Sequence, residues 1–234
     1  MRAQLNSNYN PKYSEVLADL LQERYSCRGF LPYGVSRVTI ETILGIAQRT
    51  ASWCNSQPWQ IAIASAEATQ RLREALLQYV QVNRTQPDFP WPSEYHGVYR
   101  ERRRECGLQL YQSVGVAAGD RRAGELQRLE NFRFFGAPHV AIVSTDRKLG
   151  TYGAIDCGAY VANFALAAHS VGIASIAQAA LAAYPDFWRE HLELGEDRRI
   201  VCGISFGYED PDHPANGFQT SRADIAQVVS WVDR

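Results

Sequence analysis

Arg49-Thr50-Ala51-Ser52-Trp53-Cys54-Asn55-Ser56-Gln57-Pro58-Trp59 joins a helical pattern on its N-terminal side to an apolar strand pattern on its C-terminal side. Ser52, Asn55 and Gln57 donate and accept hydrogen bonds without carrying charge. Two tryptophans flank them with flat apolar surface. That mixture suits a site that reads the polar edge of a planar heteroaromatic molecule and covers its faces. It equally suits a polar loop pinned by Pro58, and composition leaves both open.

Working outward, Ser36 caps a helix whose Ile40, Ile43, Leu44 and Ala47 repeat at i, i+3, i+4 and i+7. After the loop, residues 59–64 read as a buried strand and 67–82 as a helix with Leu72, Leu76 and Tyr79 inward. Residues 97 to about 133 are helical, broken near Gly119-Asp120. Residues 138–144 give a second strand. The nearly all-apolar run 152–171 is long enough to be the central helix of the core. On it, Asp156 and His169 read as satisfied structural polar groups. Ile173-Ala174-Ser175-Ile176-Ala177-Gln178 is a short third strand and turn. A helix containing Phe187, Trp188 and Leu192 precedes a fourth strand over 200–208. A last helix, capped by Asp224, carries Ile225, Val228, Val229 and Trp231.

At the N-terminal end, Ser14 is expected to cap a helix over 15–23 with Val16, Leu17, Leu20 and Leu21 on one face. It runs into Arg24-Tyr25-Ser26-Cys27-Arg28. If this segment is extended, Arg24, Ser26 and Arg28 leave on the same side, and two guanidiniums with a hydroxyl suit a phosphate. Two surface arginines beside a helix end fit the spacing as well. Pro87-Asp88-Phe89-Pro90-Trp91-Pro92 is too proline-rich for regular structure and strongly aromatic, as a lid over a pocket or a patch against a partner subunit would be.

Composition bounds the function. The 234 residues carry 24 Lys+Arg against 25 Asp+Glu, a formal net charge of -1, which gives no overall attraction to nucleic acid or an acidic membrane. The basic cluster Arg100-Glu101-Arg102-Arg103-Arg104-Glu105 reads as a solvated or subunit-facing helix face. Five cysteines without CxxC spacing fit a reducing compartment. With no signal-peptide core and no membrane-length apolar run, a soluble cytoplasmic protein is expected. The chain reads as an N-terminal extension over 1–13 followed by one domain over 14–234. GxSxG, P-loop, GxGxxG and HExxH motifs are absent, and the histidines are scattered singly. An enzyme built from this chain would need a bound organic cofactor for its reactivity.

Three stretches together resemble the FMN-dependent nitroreductase family: Arg24-Tyr25-Ser26-Cys27-Arg28, Ser52 to Trp59, and Phe206-Gly207-Tyr208 through Arg222. The resemblance implies an α+β sandwich, a mixed central sheet covered by helices, in an intertwined homodimer with FMN at the subunit interface. By resemblance, Arg24, Ser26 and Arg222 would bind the FMN phosphate with Tyr25 nearby. Arg28 would reach the N1/O2 side of the flavin ring. Ser52, Trp53, Asn55 and Gln57 of the partner subunit would face the ribityl chain and ring, and the backbone of Ile176, Ala177 and Gln178 would line the other edge. No catalytic side chain and no metal is expected.

The implied activity is ping-pong hydride transfer from NAD(P)H through flavin N5 to a nitroaromatic or quinone-like acceptor. Specialised relatives that destroy flavin with oxygen, dehalogenate or oxidise a ring are the alternative, as is a non-catalytic flavin-binding protein. The chain departs from the family pattern at Ala51, where a proline is usual, at Ala177, Ala179 and Ala180, and at Thr220, where a basic residue is common. Trp53 is bulkier than the usual small residue.

Overall fold

The computed structural model describes residues 10–233. In chain order it contains α1 (Pro11–Glu23), α2 (Arg37–Ala47), β1 (Gln60–Ser65), α3 (Glu67–Val82), α4 (Gly97–Ser113), α5 (Arg121–Leu129), β2 (His139–Asp146), α6 (Gly150–Ser170), β3 (Ala174–Gln178), α7 (Pro185–His191) and β4 (Arg198–Gly207). The strands form one sheet in the order β1-β2-β4-β3, every neighbouring pair antiparallel. The parallel component expected of a mixed sheet is confined to a single bridge between Ser26 and Ser175. Much of the extension expected over 1–13 lies outside the described residues.

β2 is buried along nearly its whole length, because the strand is apolar on both faces and helices cover both. Successive side chains alternate between two cores. Val140 and Ile142 join Leu72, Leu76, Phe132, Phe134, Phe187 and Trp188 on the α3/α7 side. Ala141 and Val143 join Ile40, Ile43, Tyr160, Phe164 and Phe206 on the α2/α6 side. A helix of α6's composition, apolar all round, calls for cover on every side. Cys157, Tyr160, Phe164, Ala167 and Ala168 bury one face against the sheet. On the other, Tyr152 and Ile155 remain 57% and 58% exposed, and Ala159 and Ala162 continue the open stripe.

The expected helices over 67–82 and 152–171 are present as α3 and α6, and Ser36 caps α2 by accepting from the Thr39 amide at 3.1 Å. Two helix ends differ from the sequence expectation. Asn10, rather than Ser14, caps α1, accepting from the Lys12 amide at 3.1 Å, and Pro11 occupies the first turn where its missing N–H costs nothing. Ser14 sits inside the helix and donates to the Pro11 carbonyl. At the other end, the helix expected after Asp224 is a single 3-10 turn over Ile225–Gln227. Its apolar side chains bury little surface against their own chain: Ile225, Val228 and Trp231 are 68%, 66% and 79% exposed. A short helix rich in β-branched residues is not self-supporting without such packing.

His139 locks the N-terminal segment to the sheet. Its Nε2 accepts from the Val35 amide at 2.8 Å, its Nδ1 shares a 2.9 Å hydrogen bond with the Ser65 hydroxyl, and its ring stacks on Phe206. Accepting at Nε2 requires a neutral ring, and burial lowers the pKa below the ordinary 6.5. This stabilisation is therefore complete above pH 6.5 and is lost as pH falls below it, because the unfolded chain takes up the proton first. Replacing His139 by Phe leaves the Val35 N–H unpaired, and is expected to cost about 1–3 kcal/mol in urea unfolding at neutral pH. The gap between wild type and His139→Phe should narrow as the titrations are repeated toward pH 5. A gap independent of pH would contradict this role.

Candidate functional site

Arg24 to Arg28 leaves α1 as an extended strip laid across the end of the sheet. The Cys27 amide donates to the Ser175 carbonyl at 3.2 Å, Leu31 to Tyr208 at 2.9 Å, and Asp210 returns to the Gly29 carbonyl at 3.0 Å. Asn216 ties the strip down: its Oδ1 accepts from the Arg28 amide at 2.7 Å, and its Nδ2 donates to the Gly29 and Asp210 carbonyls at 2.9 Å each. The extended strip sorts its side chains by parity, as the sequence spacing predicts. Tyr25 and Cys27 turn inward beside Glu209, where burial raises both pKa values, Cys27 to about 11. Arg24, Ser26 and Arg28 line a cleft of about 300 Å³ together with Cys106, Phe218 and Arg222.

The cleft is electrostatically unbalanced. Among the described residues no carboxylate pairs with Arg24, Arg28 or Arg222. The Arg24 pKa is lowered first by burial and then by the charge of Arg222, so two guanidiniums oppose one another in a partly desolvated place. Burial lowers that of Arg28 as well. Arg28 donates to the Ser26 carbonyl at 3.1 Å and lies 6.0 Å from the centroid of the Phe218 ring. Arg222 donates to the Thr220 hydroxyl at 2.9 Å and to the Thr220 and Ser221 carbonyls at 3.0 and 2.9 Å. Thr220 thus orients the neighbouring guanidinium. An anion with several acceptor oxygens relieves the repulsion and accepts these donors together.

The Ser52–Trp59 loop is a second structured unit. Cys54, Asn55 and Gln57 all adopt the left-handed region, with φ of 51°, 54° and 46°, in a tight turn over Trp53–Asn55. Such angles cost energy for residues with a Cβ, and surrounding contacts hold them. Ser52 Oγ accepts from the Gln57 amide at 2.9 Å, and Gln57 Nε2 donates to Asn55 Oδ1 at 3.1 Å. Gln48 bridges Gln57 Oε1 and the indole N–H of Trp59, both at 3.1 Å. From α6, Asp156 accepts the Trp53 amide at 3.1 Å, and Tyr152 packs on the Trp53 ring with centroids 4.4 Å apart. Trp53 remains 61% exposed, an aromatic surface presented outward.

The remaining sequence candidates lie on β3. The Ile176 and Gln178 side chains are buried and Ala177 is exposed. Gln178 donates to the Asn131 carbonyl at 2.9 Å and accepts from Ser205, so only its backbone is left for a ligand. The structure thus brings Arg24, Tyr25, Ser26, Arg28 and Arg222 to one cleft, with the Tyr25 hydroxyl turned inward and β3 bridged to Ser26. It does not bring Ser52, Trp53, Asn55 and Gln57 there. Their loop is fixed to α6 at Asp156, whereas the arginine end lies near His169, which is 3.4 Å from Glu23 and shares a small cavity with Arg24. Thirteen helical residues separate the two points, about 20 Å along α6. Asn216, Phe218 and Cys106 were not legible as site residues. Asn216 belongs to a stretch whose prolines signal only a turn, and Cys106 to a helix whose charges signal solvent.

An antiparallel sheet between two helical layers, with a cleft of arginines across one end and a strained polar loop toward the far end of the central helix, defines an α+β protein. Comparison gives the family. The chain matches the Nitroreductase family over residues 21–208, and it belongs to that family. It is 35% identical over 213 residues to nitroreductase NfnB of Mycolicibacterium smegmatis, covering 91% of each chain. It is 32% identical over 223 residues to a 4-nitrobenzoate reductase of Nocardioides sp., covering 93% of this chain and 90% of that one. Among solved structures, it superposes with a TM-score of 0.90 on the FMN-dependent nitroreductase NfnB of Mycobacterium smegmatis, determined in complex with NADPH. That match has 33% identity and covers 94% of this chain and 99% of the other.

Because Asp156 is the one carboxylate holding the strained loop to α6, Asp156→Ala should raise the hydrogen-exchange rate of the Trp53 amide by about tenfold or more, matching a lost bond of roughly 1.5–3 kcal/mol. Global unfolding should change little. Unchanged exchange would show that the loop holds its shape without the aspartate.

Proposed function

We propose that the chain is a homodimeric, cytoplasmic FMN-dependent oxidoreductase that uses NAD(P)H to reduce an electron-poor acceptor, nitroaromatic or quinone-like. The observation that carries this reading is the cleft of three guanidiniums without carboxylate partners. A part-buried excess of positive charge with a hydroxyl beside it fits the phosphate of FMN. The relatives support the same reading: NfnB of Mycobacterium smegmatis is an FMN-dependent nitroreductase determined in complex with NADPH, and NfnB of the Sphingopyxis strain HMH is an FMN- and NADPH-dependent one, superposing with a TM-score of 0.89 at 30% identity.

In this assignment Arg24, Ser26 and Arg222 hold the phosphate, and Arg222 is pre-oriented by Thr220. Arg28 supplies a cation to the N1/O2 side of the ring, where two-electron reduction leaves negative charge. Tyr25 acts as wall rather than hydrogen-bond donor, since its hydroxyl is turned inward beside Glu209. The backbone of Ile176, Ala177 and Gln178 borders the ring. Bound FMN supplies the redox chemistry, hydride uptake at N5 from NAD(P)H and electron delivery to the acceptor in ping-pong order. The protein needs no acid or base side chain for the first half of this cycle; it orients the reactants and excludes water.

The 20 Å separation supports a second subunit. Ser52, Trp53, Asn55 and Gln57 reach a flavin only if a second copy brings its loop to this cleft, so we assign them to the partner subunit's half of the site. The open stripe of α6, Tyr152, Ile155, Ala159 and Ala162, is apolar and finely contoured, and α1 leaves Val16, Leu17 and Leu21 about half exposed. Those faces are suited to close helix packing between two copies. Residues 14–234 form the single flavin-binding domain in this reading. Among the described residues no helix is long and apolar enough to cross a membrane.

Arg24→Ala removes one charge-assisted phosphate contact and should weaken FMN binding by about 1.5–3 kcal/mol, or roughly ten- to a hundredfold, in an equilibrium fluorescence titration. Wild-type protein supplied with FMN should lose its flavin absorbance on anaerobic addition of NADH or NADPH. Unchanged affinity in Arg24→Ala would remove the phosphate assignment, and bound flavin that neither nucleotide reduces would leave only a flavin-binding protein.

A further inference from the structure

The proposed flavin site leaves two cations of α4 unused. Around the first turns of this helix, Tyr95, His96, Arg100 and Arg103 line an open surface cleft of about 500 Å³ together with Pro92 and Glu94, all of them exposed. The size lies within the roughly 300–1,000 Å³ of small-ligand sites. Among the described residues neither Arg100 nor Arg103 has a carboxylate partner. Arg103 lies over the Tyr95 ring at 5.3 Å, which steadies its planar fork. The one carboxylate of the cleft, Glu94, faces His96 at 3.1 Å rather than an arginine. The His96 side chain does not cap α4, although its carbonyl accepts from the Tyr99 and Arg100 amides at 3.1 and 3.4 Å.

The same helix leads to the flavin cleft, because Cys106 lines that cleft beside Arg28 and Arg222. Arg100 is six residues and Gly97 nine residues from Cys106, about 9 and 14 Å along the axis. A dinucleotide with its nicotinamide at the ring end spans that distance. A single-ring acceptor occupying the same place does not.

We propose that this surface cleft is the subsite for the 2′-phosphorylated ribose of NADPH, with Arg100 and Arg103 setting preference for NADPH over NADH. The proposal rests on the flavin oxidoreductase reading above. Two guanidinium forks match the several oxygens of a phosphate dianion, and that group is the one difference between the two nucleotides. In the absence of a separate dinucleotide-binding fold, α4 and the loop before it take over this discrimination. The cluster of Arg100 to Glu105 is then not wholly a solvated face: one side of it selects the electron donor.

The test compares 2′,5′-ADP with 5′-ADP by calorimetric titration of the FMN-supplied protein, alongside steady-state rates with each reduced nucleotide. Wild type should bind 2′,5′-ADP at least about tenfold more tightly, and Arg100→Ala and Arg103→Ala should bring the two ligands toward parity. In the same variants kcat/KM for NADPH should fall about tenfold or more while that for NADH stays within about twofold. Arg100→Lys, which keeps charge and loses the fork, should fall between wild type and Arg100→Ala. Equal binding of the two ADP ligands by wild type would overturn the proposal. So would variants that slow NADH and NADPH alike, or that change KM for 4-nitrobenzoate with NADPH untouched. The titration needs no turnover, so its failure is distinct from a failure of the flavin reading, which reduction of the bound flavin by NADH checks separately.

Discussion

β2 and β4 pair in antiparallel register with helices over both faces, and everything else in the molecule is placed by that pairing. With apolar residues on both sides, a shift of one residue would exchange the contents of the two cores, so burial fixes the register. Once His139 stands opposite Phe206, its ring reaches Val35 and Ser65, and the N-terminal strip must cross the end of β3 and β4. Ser26 therefore meets Ser175, and the arginines on either side of it face outward into one cleft. The functional geometry is a consequence of how the central strands bury.

The cleft and the loop illustrate two ways in which the fold holds a disfavoured arrangement in shape. In the cleft the disfavoured state is electrostatic: like charges are held close and partly out of water by backbone anchors, above all Asn216, which make no concession to the repulsion. In the loop it is conformational: three residues with side chains hold left-handed angles, secured by Ser52, Gln57, Gln48 and Asp156. Both arrangements are already formed within the chain, so under the proposed function little reorganisation is left for the binding step. The two arrangements are built at opposite ends of the same helix, and the apolar stripe between them is the part of α6 that its own chain leaves open.

Loop 83–96 has a buried root and an open tip. Asp88 accepts two hydrogen bonds from Arg189, both at 2.6 Å, in a pair that is 14% and 10% exposed, and it also takes the Ile200 amide at 2.8 Å. A buried pair of this kind is held by its additional hydrogen bonds rather than by charge alone. It fixes the loop to the start of β4, close to where Arg198 reaches the Pro58 carbonyl behind the Ser52 loop. From this anchor Phe89 lies against Arg199 and Trp91 projects 46% exposed, so the proline-rich segment is a rooted arm rather than a free lid.

Local chemistry makes much of this legible in the sequence. The 3.6-residue pattern of 67–82 and the Ser36 cap are statements about one helix at a time, and the alternation of Arg24, Ser26 and Arg28 is a statement about one extended strip. Those readings depend only on neighbours in sequence, and they carried through. The helix after Asp224 did not, because its apolar residues have the right spacing and no surface within the chain to meet. Asn10 displaced Ser14 as a cap because Pro11 favours the first helical position, a preference set one residue away. What sequence could not hold is distance: that Arg222 lies against Arg24, that Asn216 secures Arg28 across 188 positions, and that Ser52 and Arg24 stand a helix apart. Pairings between remote segments are decided by the burial of β2 and β4 and by the length of α6, and only the folded chain expresses either.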